Sequence, residues 1–135
     1  MTFNIGNDFR VIIAGGRDFN NYDVLYQCAK WALLNYIHSD IPITIVSGTA
    51  RGADSLGESF AKDNSFSILP IPADWKRYGK KAGYLRNAEM AKHANALIAF
   101  WDGHSRGTRH MIDLAYKHNL EVLIFDYQGN LNRGD

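Results

Sequence analysis

The sequence predicts an α/β fold in which a five-stranded parallel sheet is covered by helices on both faces, and three observations carry that prediction. Short unbroken apolar runs recur five times, segments with helical spacing separate them, and glycine-rich loops follow three of the runs. Strands buried on both faces read as continuous apolar runs instead of alternating ones. Strict alternation of strand and helix calls for right-handed crossovers, and hence a three-layer sandwich.

The strand runs are residues 10–14 (RVIIA), 43–47 (ITIVS), 67–71 (SILPI), 96–100 (ALIAF) and 121–125 (EVLIF). Between the first two, Leu25, Cys28, Ala29, Ala32, Leu33 and Tyr36 fall on one helical stripe. Leu56, Phe60 and Ala61 make a second stripe, Leu85, Ala88, Met90 and Ala91 a third, and Met111, Ile112, Ala115 and Tyr116 a fourth. The expected strand order is 3-2-1-4-5, which places a ligand crevice beyond the carboxyl ends of the strands, where the order reverses. Trp31, Phe60, Phe100 and Phe125 are expected in the core. His38, His93 and His118 fall near helix ends, where the helix dipole accounts for them. The two ends, residues 1–9 and 128–135, are expected to fray.

A length of 135 residues predicts a single domain over 1–135, with its core at about 10–126. With 15 basic and 14 acidic residues the net charge is +1, which removes the bulk electrostatic argument for a duplex nucleic-acid binder. The one cysteine, Cys28, has no thiol partner and reads as a reduced, buried small hydrophobe, which favours a cytoplasmic setting. No run of about 18 apolar residues exists, and the N-terminus lacks the basic and apolar regions of a signal peptide, so neither a membrane span nor secretion is expected.

Chemistry concentrates in the loops. After the first run, Gly15 and Gly16 let the backbone approach an anion and Arg17 can add a bidentate phosphate contact. The loop lacks the G-x-G-x-x-G dinucleotide pattern. After the second run, Ser47, Gly48, Arg51 and Gly52 abut a helix N-terminus, whose free amides favour an anion. Asp54 there either caps the helix, fixes Arg51, or accepts from ribose hydroxyls. No G-K-[ST] follows, which argues against an ATPase or GTPase. After the fourth run, Trp101, Ser105, Arg106, Gly107 and Thr108 open another helix, with Gly107 and Thr108 as a phosphate cradle and Trp101 as either core cap or ligand stacker. His104 and His110 lack a third metal ligand at useful spacing, and no metal or other cofactor is expected. The long segment 71–87 interleaves Trp75, Tyr78 and Tyr84 with Lys76, Arg77, Lys80 and Lys81, suiting either base stacking with phosphate contact or a solvated lid.

Six elements together resemble the SLOG superfamily, in particular its small, often phage-encoded YspA-like branch. They are Gly15–Phe19, Ser47–Asp54, Pro72–Trp75, Tyr78–Gly83, Arg86–Met90, and Phe100–Gly103 followed by Ser105–Thr108. The resemblance implies a Rossmann-like fold that binds nucleotides or nucleotide-derived signals such as ADP-ribose species, in the cytoplasm of a bacterium or phage-infected host. It also implies kinship with Lonely Guy phosphoribohydrolases, which cleave the N-glycosidic bond of nucleoside 5′-monophosphates, and with DprA, which binds single-stranded DNA. Related proteins often form homodimers. Where those hydrolases carry R-K-x-x-M, this chain has Arg86 and Met90 but Asn87 in place of the lysine. At the place of their catalytic glutamate stands Met111.

Cleavage through an oxocarbenium-like state needs a carboxylate near the ribose, which Met111 cannot supply. The expected function is therefore binding of a nucleotide-like small molecule, as a sensor or sequestering module. The alternative is hydrolysis, with Arg86 stabilising charge and Asp54, Glu89 or Asp102 as the carboxylate. Single-stranded nucleic-acid binding through residues 75–84 ranks third.

Overall fold

The computed structural model describes residues 7–132. Five strands, β1 (Phe9–Gly15), β2 (Ile43–Ser47), β3 (Ser67–Pro70), β4 (Ala96–Phe100) and β5 (Glu121–Phe125), pair in parallel in the order β3-β2-β1-β4-β5. The helices are α1 (Tyr22–Ala32), α2 (Leu34–Ile37), α3 (Ala53–Asp63), α4 (Trp75–Tyr78), α5 (Ala82–His93) and α6 (Arg106–Lys117). This is the Rossmann-like α/β arrangement that the apolar runs predict, with the order reversing between β1 and β4.

The central strands are predominantly apolar on both faces because each face has its own core. On β1, Val11 and Ile13 point into a layer closed by α1 and α3, where Leu25, Ala29, Phe60 and Ala61 are buried. Ile12 and Ala14 point the other way, onto Met90 and Ala91 of α5 and Met111, Ile112 and Ala115 of α6. Each large side chain so buried contributes about 1.5–3 kcal/mol. Phe100 and Phe125 stack at 5.6 Å within the first layer.

Several expectations need correction. Trp31 is 59% exposed and meets Phe125 only edge-on. It lies about 200° around the helix from the buried Ala29, at the margin of the buried face. Leu85 is also exposed, since α5 buries Asn87, Met90 and Ala91 instead. The first helical stripe is split at Leu33 into α1 and α2.

The segment 71–87 is mostly helical. Asp74 accepts the Arg77 N–H at 3.1 Å and starts α4, Gly79 turns the chain with φ +58°, and a 3-10 turn at Gly79–Lys81 runs directly into α5.

Within the described parts of the two ends, contacts hold residues expected to fray. Phe9 is buried and stacks on Tyr36 at 4.0 Å. Asp126 accepts N–H bonds from Gln128 and Asn130, both at 2.9 Å, and Leu131 bridges back to Phe125. Residues 1–6 and 133–135 of those ends lie outside the described residues. Cys28 is buried, and burial pushes its thiol pKa up.

Candidate functional site

The loops after β1, β2 and β4 and the first half of α5 enclose a cleft of about 400 Å³ at the point where strand order reverses. A second compartment of about 320 Å³ adjoins it, and Arg17, Ala50, Trp75 and Arg86 line both. Arg51 lines the second compartment alone.

Packing alone explains some of the glycines. A Cβ on Gly15 would collide with the Phe100 carbonyl of the neighbouring strand. The Gly16 carbonyl accepts N–H bonds from Phe19 and Ala53, both at 3.2 Å, and Gly52, at φ +76°, lies against it so closely that a Cβ there would strike it. Gly16 and Gly52 thus lash the first two loops together, and neither lines the cleft. Ser47 also turns away: its buried hydroxyl donates to Glu58 at 2.6 Å and accepts the Thr49 N–H at 3.0 Å. Thr49 sits in the left-handed region at φ +63°, a conformation that costs a non-glycine residue energy and recurs at ligand sites.

Arg86 is the hub. From the second turn of α5 it reaches across the cleft, donating from Nη1 to the Gly48 carbonyl at 2.6 Å and from Nε to the Asn87 amide oxygen at 2.9 Å. Burial pulls its pKa down and Asp54 pulls it back up; a guanidinium remains cationic throughout the physiological range. Asp54 is the second residue of α3. It caps no amide of its own helix, accepting instead the Ala50 N–H at 3.2 Å. Burial raises its pKa, while the Ala50 bond and the charges of Arg86 and Arg17 oppose that rise. Arg17 lies over the Trp75 ring at 5.8 Å on the opposite wall.

The α6 end of the cleft is open and polar. Ser105 caps the helix, accepting the Thr108 N–H at 3.3 Å, and its hydroxyl meets that of Thr108 at 3.0 Å. Nothing lies within 4 Å of where a Gly107 Cβ would stand. Asp102 holds the approach to this turn, accepting the His104 and Ser105 N–H groups at 2.8 and 2.9 Å, and those bonds lower its pKa.

Sequence comparison now decides the family. The model of the YspA, cpYpsA-related SLOG family (YAcAr) matches residues 9–78, the stretch from β1 through α4. The gene 61 protein of Mycobacterium phage D29 is 37% identical over 123 residues, covering 86% of this chain and 95% of that one. The chain is a member of the SLOG family.

Solved structures agree on the fold. The SLOG chain superposes on DNA processing protein A (DprA) from Streptococcus pneumoniae with a TM-score of 0.66 at 16% identity, over 87% of this chain and 50% of that one. It thus spans half the length of that relative. A structural-genomics target, TM1055, gives a TM-score of 0.63 at 14% identity, over 85% of this chain and 72% of that one.

Within this SLOG domain the carboxylates named from sequence separate clearly. Glu89 faces a different groove behind α5 and pairs with His93 at 2.9 Å and Lys92 at 4.0 Å. Asp102 is spent on the loop amides, and a further carboxylate on α6, Asp113, pairs with Arg109 at 3.8 Å on the surface. Among the described residues only Asp54 offers a carboxylate to the cleft, and Met111 lines its floor. Ser105, Gly107 and Thr108 line it too, whereas Trp101 and Arg106 do not. The Trp101 indole N–H donates to the Ser105 carbonyl at 3.1 Å and its ring packs on the second core layer, making it a loop brace.

From sequence, Asn87 stands out only as the replacement of a lysine and His110 only as an unsupported metal ligand; the structure brings the two together at 3.2 Å beside Arg86. Among the described residues no helix is long and apolar enough to cross a membrane.

Proposed function

We propose that the cleft binds a nucleotide or nucleotide-derived ligand through its phosphate, and that the protein acts as a sensor or sequestering module. One observation carries this reading: Arg17, Arg86 and the open first turn of α6 converge on a single cleft whose one carboxylate, Asp54, is buried beside an arginine. Cations and helix amides so placed favour an anion. Trp75, half exposed in the cleft lining, supplies a face for a base. A cavity of about 400 Å³ lies within the range of small-molecule sites.

Calorimetry and thermal shift with nucleoside monophosphates, ADP-ribose and cyclic nucleotides test the proposal. Binding should appear for at least one of them, and Arg86→Ala should abolish it while Lys62→Ala leaves it intact. Silence across the panel would sink the proposal.

The buried position of Asp54 supports a second reading as a phosphoribohydrolase. Asp54 would activate the water that replaces the base at the ribose, and Arg86 would stabilise the phosphorylated sugar. Incubation with nucleoside monophosphates, followed by chromatography for free base, decides between turnover and binding. We further propose a single cytoplasmic domain that forms a homodimer; light scattering after size exclusion reads the latter directly.

A further inference from the structure

The side chain of Asn87 is buried between α5 and α6, and each of its polar atoms has a partner. Its orientation is forced. The Arg86 Nε–H can only donate, so the Asn87 oxygen must face it, at 2.9 Å. The amide nitrogen then faces the Gly107 carbonyl at 3.4 Å and His110 Nδ1 at 3.2 Å. Because that nitrogen can only donate, His110 Nδ1 must accept, which fixes the imidazole as the neutral form with its proton on Nε2.

We infer that Asn87 is a positioning residue: through one buried amide it locks the Arg86 guanidinium to the first turn of α6, with neutral His110 as its anchor. The two halves of the anion site, one on each helix, are thereby held as one unit. A lysine, which accepts no hydrogen bond, could not perform this role. The Tyr84 ring from α5 meets the His110 ring edge-on at 4.5 Å, and on α6 itself Asp113 is the charge that acts on it. Burial lowers the His110 pKa, as a bare accepting Nδ1 requires.

The consequence for affinity rests on the ligand reading given above; the consequence for the network does not. NMR of the free protein should therefore show His110 protonated at Nε2 alone, together with a resolved, slowly exchanging Arg86 Nε–H signal. In Asn87→Ala that signal should broaden into solvent exchange. Asn87→Asp can still accept from Arg86 but cannot donate, so it should keep the arginine signal while the titration midpoint of His110 rises.

With AMP as probe, Asn87→Ala should bind about tenfold more weakly, the loss expected of one hydrogen bond to a charged group. A proton on His110 Nδ1 in the wild type, or an unchanged Arg86 signal in Asn87→Ala, would overturn the inference, and the wild-type spectrum decides this even if a variant fails to fold. If wild-type protein ignores AMP and the rest of the nucleotide panel, the ligand reading falls and the spectra still judge the network.

Discussion

Arg86 and Gly48, thirty-eight positions apart, are joined by a hydrogen bond of 2.6 Å from the guanidinium Nη1 to the backbone carbonyl. That bond ties α5 to the loop after β2 and sets the charge in the middle of the cleft. It also explains why position 48 holds glycine. A Cβ there would stand 2.7 Å from Asp54 Oδ2 and 2.8 Å from Arg86 Nη1. Gly48→Ala should therefore push aside the two side chains that define the site while leaving the sheet intact. Nucleotide affinity should fall at least tenfold, about 1.4 kcal/mol, in a calorimetric titration.

Gly107 and Gly57 make a paired test of ligand space against packing. A methyl on Gly107 meets nothing within 4 Å, whereas one on Gly57 would stand 2.9 Å from the Ile13 Cβ, where α3 lies on β1. Gly107→Ala should keep stability, or raise it by up to about 1 kcal/mol from reduced chain entropy, yet weaken binding by occupying the cradle. Gly57→Ala should lose about 1–3 kcal/mol of stability through overpacking. Urea unfolding measures both effects.

Trp75 should report the ligand. It is half exposed on the cleft wall beneath Arg17, while Trp31, 59% exposed, lies on α1 and lines neither compartment. A base stacked on Trp75 will quench its fluorescence, so a nucleotide-dependent change should vanish in Trp75→Phe and persist in Trp31→Phe. Replacing Trp75 with alanine should weaken binding by about 1–3 kcal/mol, the usual worth of a base stacked on an aromatic ring. A signal that survives in Trp75→Phe would place the base elsewhere.

What could be read in the sequence, and what could not, follows from the range of the forces involved. The strands were legible because burial on both faces leaves unbroken apolar runs, their order because strands and helices strictly alternate, and the loops because a turn at a strand end needs glycine. Trp31 shows the limit of stripe reasoning: a large apolar residue one step off the stripe faces solvent regardless of its type. Glu89 and Asp54 show a second limit. The sequence offers both as the carboxylate, but His93, one turn along α5, holds Glu89 on the outer face. The role of Asn87 depends on His110, twenty-three residues away on another helix, and no local pattern encodes that meeting.

Asp54 yields a prediction in which stability and chemistry separate. Burial raises its pKa above the ordinary aspartate value, so the folded protein holds this proton more tightly than the unfolded chain does. The protonated form therefore contributes stability that is present in full below the unfolded pKa of about 4 and is lost as pH rises through the folded value. Asp54→Asn keeps the shape and an oxygen for the Ala50 N–H, but never ionises. Relative to wild type, its stability should rise between pH 4 and pH 7, as measured by urea unfolding at each pH. A variant less stable than wild type at pH 7 would mean that Arg86 and Arg17 outweigh desolvation. Glu89→Gln, altered only at the surface, should bind ligand normally. If the protein releases base from a nucleoside monophosphate, Asp54→Asn should abolish release while retaining substrate binding, because the arginines that hold the phosphate are untouched. Arg86→Ala should lose both, and that contrast would assign the carboxylate to the chemical step and the guanidinium to the phosphate.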